Sequence, residues 1–392
     1  MHKNMIQNER FTIGLTGNIG TGKSLIRKML QHLGAFGIDA DALAQDILNS
    51  NASAISKIIQ RFGTGVVNES GKLDRAKIAE IVFNDTNSLL ELEHILHPLV
   101  SEAAAKLIHN AHLPIIVIEA IKLLDSDLVN MCDTIWVADA SQAVIFNRLA
   151  SIRGMDHKQI TERLSNQSSS SEMKNRANVV IANNKDFIST WHSVQSAWKN
   201  LEKTNISFMN YVNKTANLTS MFKNTIIMPE SESLSKIRKF FVQVAEPVQP
   251  LIWLERKERQ FPESLRDQRI LNQMAVQDFL FTFQDLDERE SFVICDLNQF
   301  DLTIAGLFLQ NPINFEHVFP SILKVIENFG RLQMAQHVNI PLKHLLKERT
   351  STFRKLGYNL FPAGDKKFQQ RGIAGYNLYQ KKMSENIDIF SN

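Results

Sequence analysis

Through roughly the first 200 residues, short unbroken apolar runs alternate with longer stretches in which apolar positions recur every three or four residues. The short runs predict buried strands over Thr12–Thr16, Gly37–Asp39, Ile115–Glu119, Thr134–Ala138 and Asn178–Ile181. The periodic stretches predict helices near 24–33, 41–49, 51–62, 74–83, 86–109, 141–152 and 157–167. In the first of them Leu25, Met29 and Leu33 share a face, with Ile26 and Leu30 beside them. A last amphipathic helix, Thr190–Leu201, carries Trp191 and Trp198 two turns apart, a spacing for core packing. Strands alternating with helices predict an α/β fold of three layers, with a parallel sheet covered on both faces. No strand interrupts 51–109, so a helical insertion that covers the substrate is expected there.

Residues 202–222 are rich in Asn, Thr and Lys and predict a linker, which divides the chain into domains 1–201 and 223–392. From Ile226 the pattern resumes with a strand and a helix over 232–244. Strands follow at Phe279–Phe283, Ser291–Asp296 and Leu302–Leu309. Then comes a helix over 320–334, with Pro320 suited to its first position. This second domain is expected to be mixed α/β, with Phe279, Phe281, Phe292, Ile294, Leu307 and Phe308 in the core of its sheet.

Charge changes the picture little. The 44 basic and 41 acidic residues leave a net charge of +3, too balanced to call for a nucleic-acid partner but suited to anionic phosphate ligands. Cys132 and Cys295 are the only cysteines, which predicts free thiols in a reducing compartment and no disulfide framework. No apolar run approaches the roughly 18 residues of a membrane span. The first strand follows about ten mostly polar residues, too few for a signal peptide. A cytoplasmic location without a membrane partner is expected.

The chemistry starts between the first strand and the first helix. Gly17, Asn18, Ile19, Gly20, Thr21, Gly22, Lys23 and Ser24 fit the phosphate-binding pattern G-x-x-x-x-G-K-[ST]. The glycines let the backbone wrap a polyphosphate, and a helix N-terminus then faces it. With ATP as cofactor, Lys23 would reach the β- and γ-phosphates and Ser24 would ligate Mg²⁺. Asp39 and Asp41 follow at the exit of the second strand, on the side of the sheet that bears the phosphate loop. On an extended segment, carboxylates two residues apart point the same way. One of them can accept the proton of an attacking hydroxyl, or Asp41 can merely cap the next helix.

Several motifs together resemble the dephospho-coenzyme A kinase family over residues 11–200. They are the phosphate loop, Ile38-Asp39-Ala40-Asp41, Leu73-Asp74-Arg75, Leu92-Glu93-His94-Ile95-Leu96-His97-Pro98 and Ala177-Asn178-Val179-Val180-Ile181. The resemblance implies transfer of the ATP γ-phosphoryl group to the ribose 3′-hydroxyl of dephospho-CoA, giving CoA and ADP. It implies Asp41 as general base, with Asp39 as its supporting neighbour acting through water on Mg²⁺. It implies a mobile lid whose arginines neutralise the transferred phosphate, here Arg148, Arg153 and Arg163, with Gln167 after them; Arg153 beside Gly154 is the closing finger. Asn183 and Asn184 match the corner that meets adenine, although Asn-Asn is also an ordinary turn. Arg75, His94, His97 and Lys122 join Arg163 as candidate contacts to the acceptor, and His94 and His97 could instead hold the helices together. The chain departs from the family at Ser101, where an arginine is usual, and Lys122 is the candidate replacement for that charge.

Residues 223–384 resemble acetyl-CoA-dependent N-acetyltransferases more faintly, through Phe353-Arg-Lys-Leu-Gly357-Tyr358. Phe353 stands where that family places a proton-donating tyrosine, and Asn311–Pro320 lacks the glycines of a pyrophosphate turn. A degenerate domain is therefore expected, in contact with CoA or with a protein. Two other functions remain open at this stage: a P-loop kinase for a nucleoside or another small alcohol, and a CoA- or nucleotide-binding pseudoenzyme that scaffolds.

Overall fold

The computed structural model describes residues 10–68, 71–165, 167, 169–222, 225–243, 252–253, 263–284, 290–298, 300–309, 315–342, 350–363 and 376–383. Its contacts separate two units, one built on Ala35–Val212 with the segment ending at Gln31, the other on Asn213–Asn386.

In the first unit, strands β1 (Phe11–Thr16), β2 (Phe36–Asp39), β3 (Ile115–Glu119), β4 (Thr134–Asp139) and β5 (Val179–Ala182) form a sheet in the order β2-β3-β1-β4-β5. All its pairings are parallel. Every residue of β1 and β3 is buried, as both faces of such a sheet require. Helix α1 (Lys23–His32) follows β1, and α2 (Ala40–Ser50) follows β2. Then α3 (Ala52–Phe62), α4 (Arg75–Asn84) and the long α5 (Thr86–Asn110) make the expected insertion, in which α2, α3 and α4 all pack on α5. Asp39, Asn51, Asp74 and Asp85 cap α2 to α5 with their side chains, so these starts were written locally. After β4 come α6 (Gln142–Arg153), α7 (His157–Ser165) and α8 (Ser170–Asn175), then α9 (Phe187–Thr204) after β5. Gly154 ends α6 in the left-handed conformation. The short α8 was not expected.

The stretch predicted as a linker is helical over α10 (Ile206–Leu218). Its few apolar residues suffice, because Phe208 is fully buried edge-on to both Phe11 and Trp198. Trp191 and Trp198 are core residues, as their spacing predicts.

In the second unit, β6 (Ile226–Ile227), β8 (Phe279–Gln284), β9 (Glu290–Asn298), β10 (Asp301–Phe308), β11 (His337–Leu342), β12 (Asn359–Phe361) and β13 (Asn377–Lys382) form one mixed sheet. Its order is β12-β13-β11-β10-β9-β8-β6, and β7 (Ile252–Trp253) pairs with β10. The β10–β11 pairing is parallel and the others are antiparallel. Phe279, Phe281 and Leu307 face one core with α14 (Phe315–Leu332), while Phe292, Ile294 and Phe308 face another with α11 (Glu232–Gln243), α12 (Glu263–Arg266) and α13 (Gln268–Gln277). Helix α14 starts before the predicted position, which leaves Pro320 inside it. Phe315 and Phe319 are buried on its core side and favour the extra turn over the loss of one amide donor. A short helix α15 (Thr350–Lys355) precedes β12. Of the glycine-free stretch Asn311–Pro320, residues 311–314 lie outside the described residues. Among the described residues no helix is long and apolar enough to cross a membrane.

Candidate active site

In a parallel sheet all strands exit on one side, and the order places β1 between β3 and β4, where a crevice opens. The phosphate loop leaves β1 there. Two of its glycines are required by geometry. Gly17 has φ +145° and a Cβ on it would meet Ala138 O at 2.4 Å; Gly22 has φ +90° and a Cβ would meet Asn183 Nδ2 at 2.1 Å. Lys23 is buried and donates from Nζ to Gly17 O (2.8 Å) and Asn18 O (3.2 Å), so the ammonium lies over the loop. Helix α1 has no acidic residue in its first turn, and its positive end stays available to an anion.

Asp39 ends β2 in extended backbone and caps α2, its Oδ1 accepting the N–H of Ala42 at 2.9 Å. Asp41 therefore stands inside the first turn of α2. This corrects both the expectation that the two carboxylates share an extended segment and the alternative that Asp41 is the cap. Capping falls to Asp39, because only the residue before the helix can reach its free N–H groups. The Asp41 surface is open, yet its surroundings are largely protein. That loss of hydration, then the Asp39 charge and to a smaller degree Glu119, push its pKa up to about 6 against the pull of Lys23 and the Ile121 amide.

Arg148 on α6 reaches back to the loop, donating to Gly20 O (3.3 Å), Asn183 O (3.0 Å) and Asn183 Oδ1 (3.1 Å). Burial lowers its pKa from the usual guanidinium range. Asn183 is buried and donates to Thr21 O at 2.9 Å, while its Oδ1 also accepts from Thr190. Gln167 Oε1 accepts the N–H of Ile19 at 2.9 Å. The phosphate loop, Arg148, Asn183 and Gln167 thus form one cluster. Asn184 differs from Asn183: its Oδ1 accepts the N–H of Ser141, the cap of α6, at 2.6 Å.

Other predicted residues lie outside this cluster. Arg75 holds Gln45 through its side-chain and backbone oxygens, both at 3.4 Å. His94 lines a cavity of about 430 Å³ with Arg61, Leu90, Glu91 and Ile95. His97 is half-buried on α5, and Arg163 is exposed at the end of α7. Lys122 is paired with Glu93. Ser101 is buried, and its hydroxyl has no partner among the described residues. The side chain of Arg153, the predicted closing finger, lies outside the described residues.

Two site residues were missed in the sequence. Glu119, the last residue of β3, accepts Ser24 Oγ–H on Oε1 (2.6 Å) and Arg27 Nε–H on Oε2 (2.6 Å). Arg27 also donates to Asp39 at 3.3 Å. A carboxylate closing an otherwise apolar strand was the available signal for Glu119. Arg27 had none, since one arginine on an amphipathic helix reads as surface. Among the described residues no group of three or more Asp, Glu, His or Cys side chains is placed to hold a metal ion, and the carboxylate beside the Ser24 hydroxyl is that of Glu119.

A family model described as dephospho-CoA kinase matches residues 11–188. The dephospho-CoA kinase of Thermobifida fusca is 33% identical over 192 residues, covering 49% of this chain and 96% of that protein. That of Carboxydothermus hydrogenoformans is 34% identical over 199 residues, covering 49% and 97%. A solved dephospho-CoA kinase from Campylobacter jejuni shares 21% identity with a TM-score of 0.35, covering 49% of this chain and 98% of that one. The likeness of the C-terminal unit is to acetyltransferases such as Tetrahymena GCN5, with 9% identity and a TM-score of 0.27 over 41% of this chain and 93% of that one. Structural scores of this size carry no argument about either unit.

Proposed function

The chain belongs to the dephospho-CoA kinase family, and we propose that Lys23, Asp41, Arg148 and the phosphate loop carry the phosphotransferase chemistry of its N-terminal unit. That unit phosphorylates the ribose 3′-hydroxyl of dephospho-CoA at the expense of ATP, giving CoA and ADP. The observation that carries the assignment of roles is the pairing of an intact phosphate loop with a carboxylate, Asp41, whose pKa lies near 6. A base poised just below neutral pH is ionised in the cell yet still basic enough to take a proton.

The backbone N–H groups of the loop and the N-terminus of α1 receive the β-phosphate. Lys23 exchanges its two loop carbonyls for phosphate oxygens and follows the charge that develops during transfer. Asp41 orients the acceptor hydroxyl and takes its proton, with Asp39 fixing the turn that carries it. Arg148 presents a planar fork beside the loop and covers the equatorial oxygens, excluding water. Ser24, with Asp39 and Glu119 behind it, would hold Mg²⁺. The chemistry it would supply there is positive charge against the polyphosphate. Asn183 ties the base corner to the loop. Arg75, His94, His97, Lys122 and Arg163 belong to the acceptor side in this reading. ATP dependence and two free thiols support a cytoplasmic location.

For the C-terminal unit the reading is a fold without acetyl transfer. Phe353 is buried against Phe319 and stacked on Tyr379, and has no proton to give. The nearby Tyr358 hydroxyl is buried and committed to Glu327 at 3.1 Å.

The test is ADP release by the full chain with dephospho-CoA, adenosine and other nucleosides as acceptors. Release that depends on dephospho-CoA is expected. Release with a nucleoside and none with dephospho-CoA would replace this reading with that of a nucleoside kinase.

A further inference from the structure

Two carboxylates stand side by side where β2 and β3 end. Asp39 and Glu119 are in-register partners on neighbouring parallel strands, so their side chains leave the same face of the sheet. Like charges so placed repel unless a cation lies between them. Arg27 is that cation. Its Nε donates to Glu119 Oε2 (2.6 Å), its Nη2 to Asp39 Oδ2 (3.3 Å) and its Nη1 to Gln31 Oε1 (3.3 Å). The side chains of Arg27, Glu119 and Asp39 are 10%, 5% and 23% exposed.

Both carboxylates spend their second oxygen on the reaction machinery. Glu119 Oε1 accepts the hydroxyl of Ser24, at the phosphate-binding end of α1, and Asp39 Oδ1 accepts the N–H of Ala42, next to Asp41. A continuous chain therefore runs from Ser24 through Glu119, Arg27 and Asp39 to the turn that carries the base. We propose that Arg27 is a positioning residue for phosphoryl transfer: without touching either substrate, it sets the placement of Asp41 relative to the phosphate loop. The guanidinium suits the task because its rigid plane holds two acids at a set angle, which a flexible ammonium does not. The proposal rests on the reading of Asp41 as the proton acceptor.

A cation between two acids would also support the fold, so the test separates the two roles. The full-length wild type, Arg27→Lys, Arg27→Gln and Asp41→Asn are compared. ATP affinity and stoichiometry are measured by calorimetry, and ADP release is measured at saturating dephospho-CoA, with kcat expressed per ATP-binding chain. Both Arg27 variants are expected to bind ATP within about threefold of wild type, yet to lose about 10–100-fold in kcat, the scale of a small misplacement of reacting groups. Unchanged kcat per ATP-binding chain overturns the proposal, because the residue then serves only the fold. Failure of Arg27→Lys to bind ATP at all overturns it in the same way. An inactive wild type, or a fully active Asp41→Asn, removes the reading of the base and the proposal with it. An active wild type, a crippled Asp41→Asn and an unaffected Arg27→Lys remove the proposal alone.

Discussion

Lys23 and Asp41 make the sharpest demands at the scale of single residues. The Lys23 ammonium sits on two carbonyls of its own loop, within the electrostatic reach of Asp41. Lys23→Ala should lower kcat about 10²–10³-fold, the usual effect of losing one preorganised donor. A variant retaining a tenth of wild-type turnover would place the lysine outside the transfer step. Asp41→Asn should keep ATP binding and lose about 10²–10⁴-fold in kcat. A silent Asp41→Asn beside a crippled Asp39→Asn would reverse the two roles. The pKa of Asp41 near 6 also predicts a pH profile. Only the ionised base works, so kcat/KM should fall as pH drops through about 6 and level off above it. Asp39→Asn removes the second-largest cause of the shift, and its acid limb should move to lower pH. For folding the sign is opposite. A carboxylate whose pKa is raised in the folded state favours folding at low pH, and that contribution is lost as pH rises through about 6.

Among the elements, α10 is the one whose character differs most from its sequence. Composition made it a linker, since Asn and Thr dominate and apolar residues are sparse. Burial of one ring was enough to dock it, because Phe208 packs between Phe11 on β1 and Trp198 on α9. Phe208→Ala should therefore cost about 3–5 kcal/mol, readable as a lower denaturant midpoint. A loss below about 1 kcal/mol would return the stretch to a linker. The phosphate loop shows the opposite case, an element legible from its own residues. Its glycine positions follow from local backbone need, and the structure adds only the neighbours that make Gly17 and Gly22 irreplaceable.

At the scale of the whole molecule, the chain joins a kinase unit to a unit with a mixed sheet and two apolar cores. In the second unit the buried Tyr358 hydroxyl and the Glu327 carboxylate are used internally. Lys381 and Tyr358 both bind Glu327. Burial and the Glu327 carboxylate hold the proton on the Tyr358 oxygen, so this network serves the fold rather than a leaving group. The full chain should therefore transfer no measurable acetyl group from acetyl-CoA to amines. Thiol release from acetyl-CoA, stimulated by an amine and persisting in Lys23→Ala, would show a second active site.

The sequence by itself determined the parallel sheet, most of its helices, the helix caps and the phosphate loop. Each of these depends on residues within a few positions of one another: runs of apolar side chains, Asp or Asn before a helix, glycine where φ is positive. Tertiary structure alone decided how the site is wired. Arg27 meets Glu119 across 92 residues of chain, and Asn183 reaches the Thr21 carbonyl across 162. No local pattern encodes such meetings, because they arise where strand ends converge. Burial and charge at that convergence are what raise the pKa of Asp41, and these belong to the assembled sheet rather than to any segment of it.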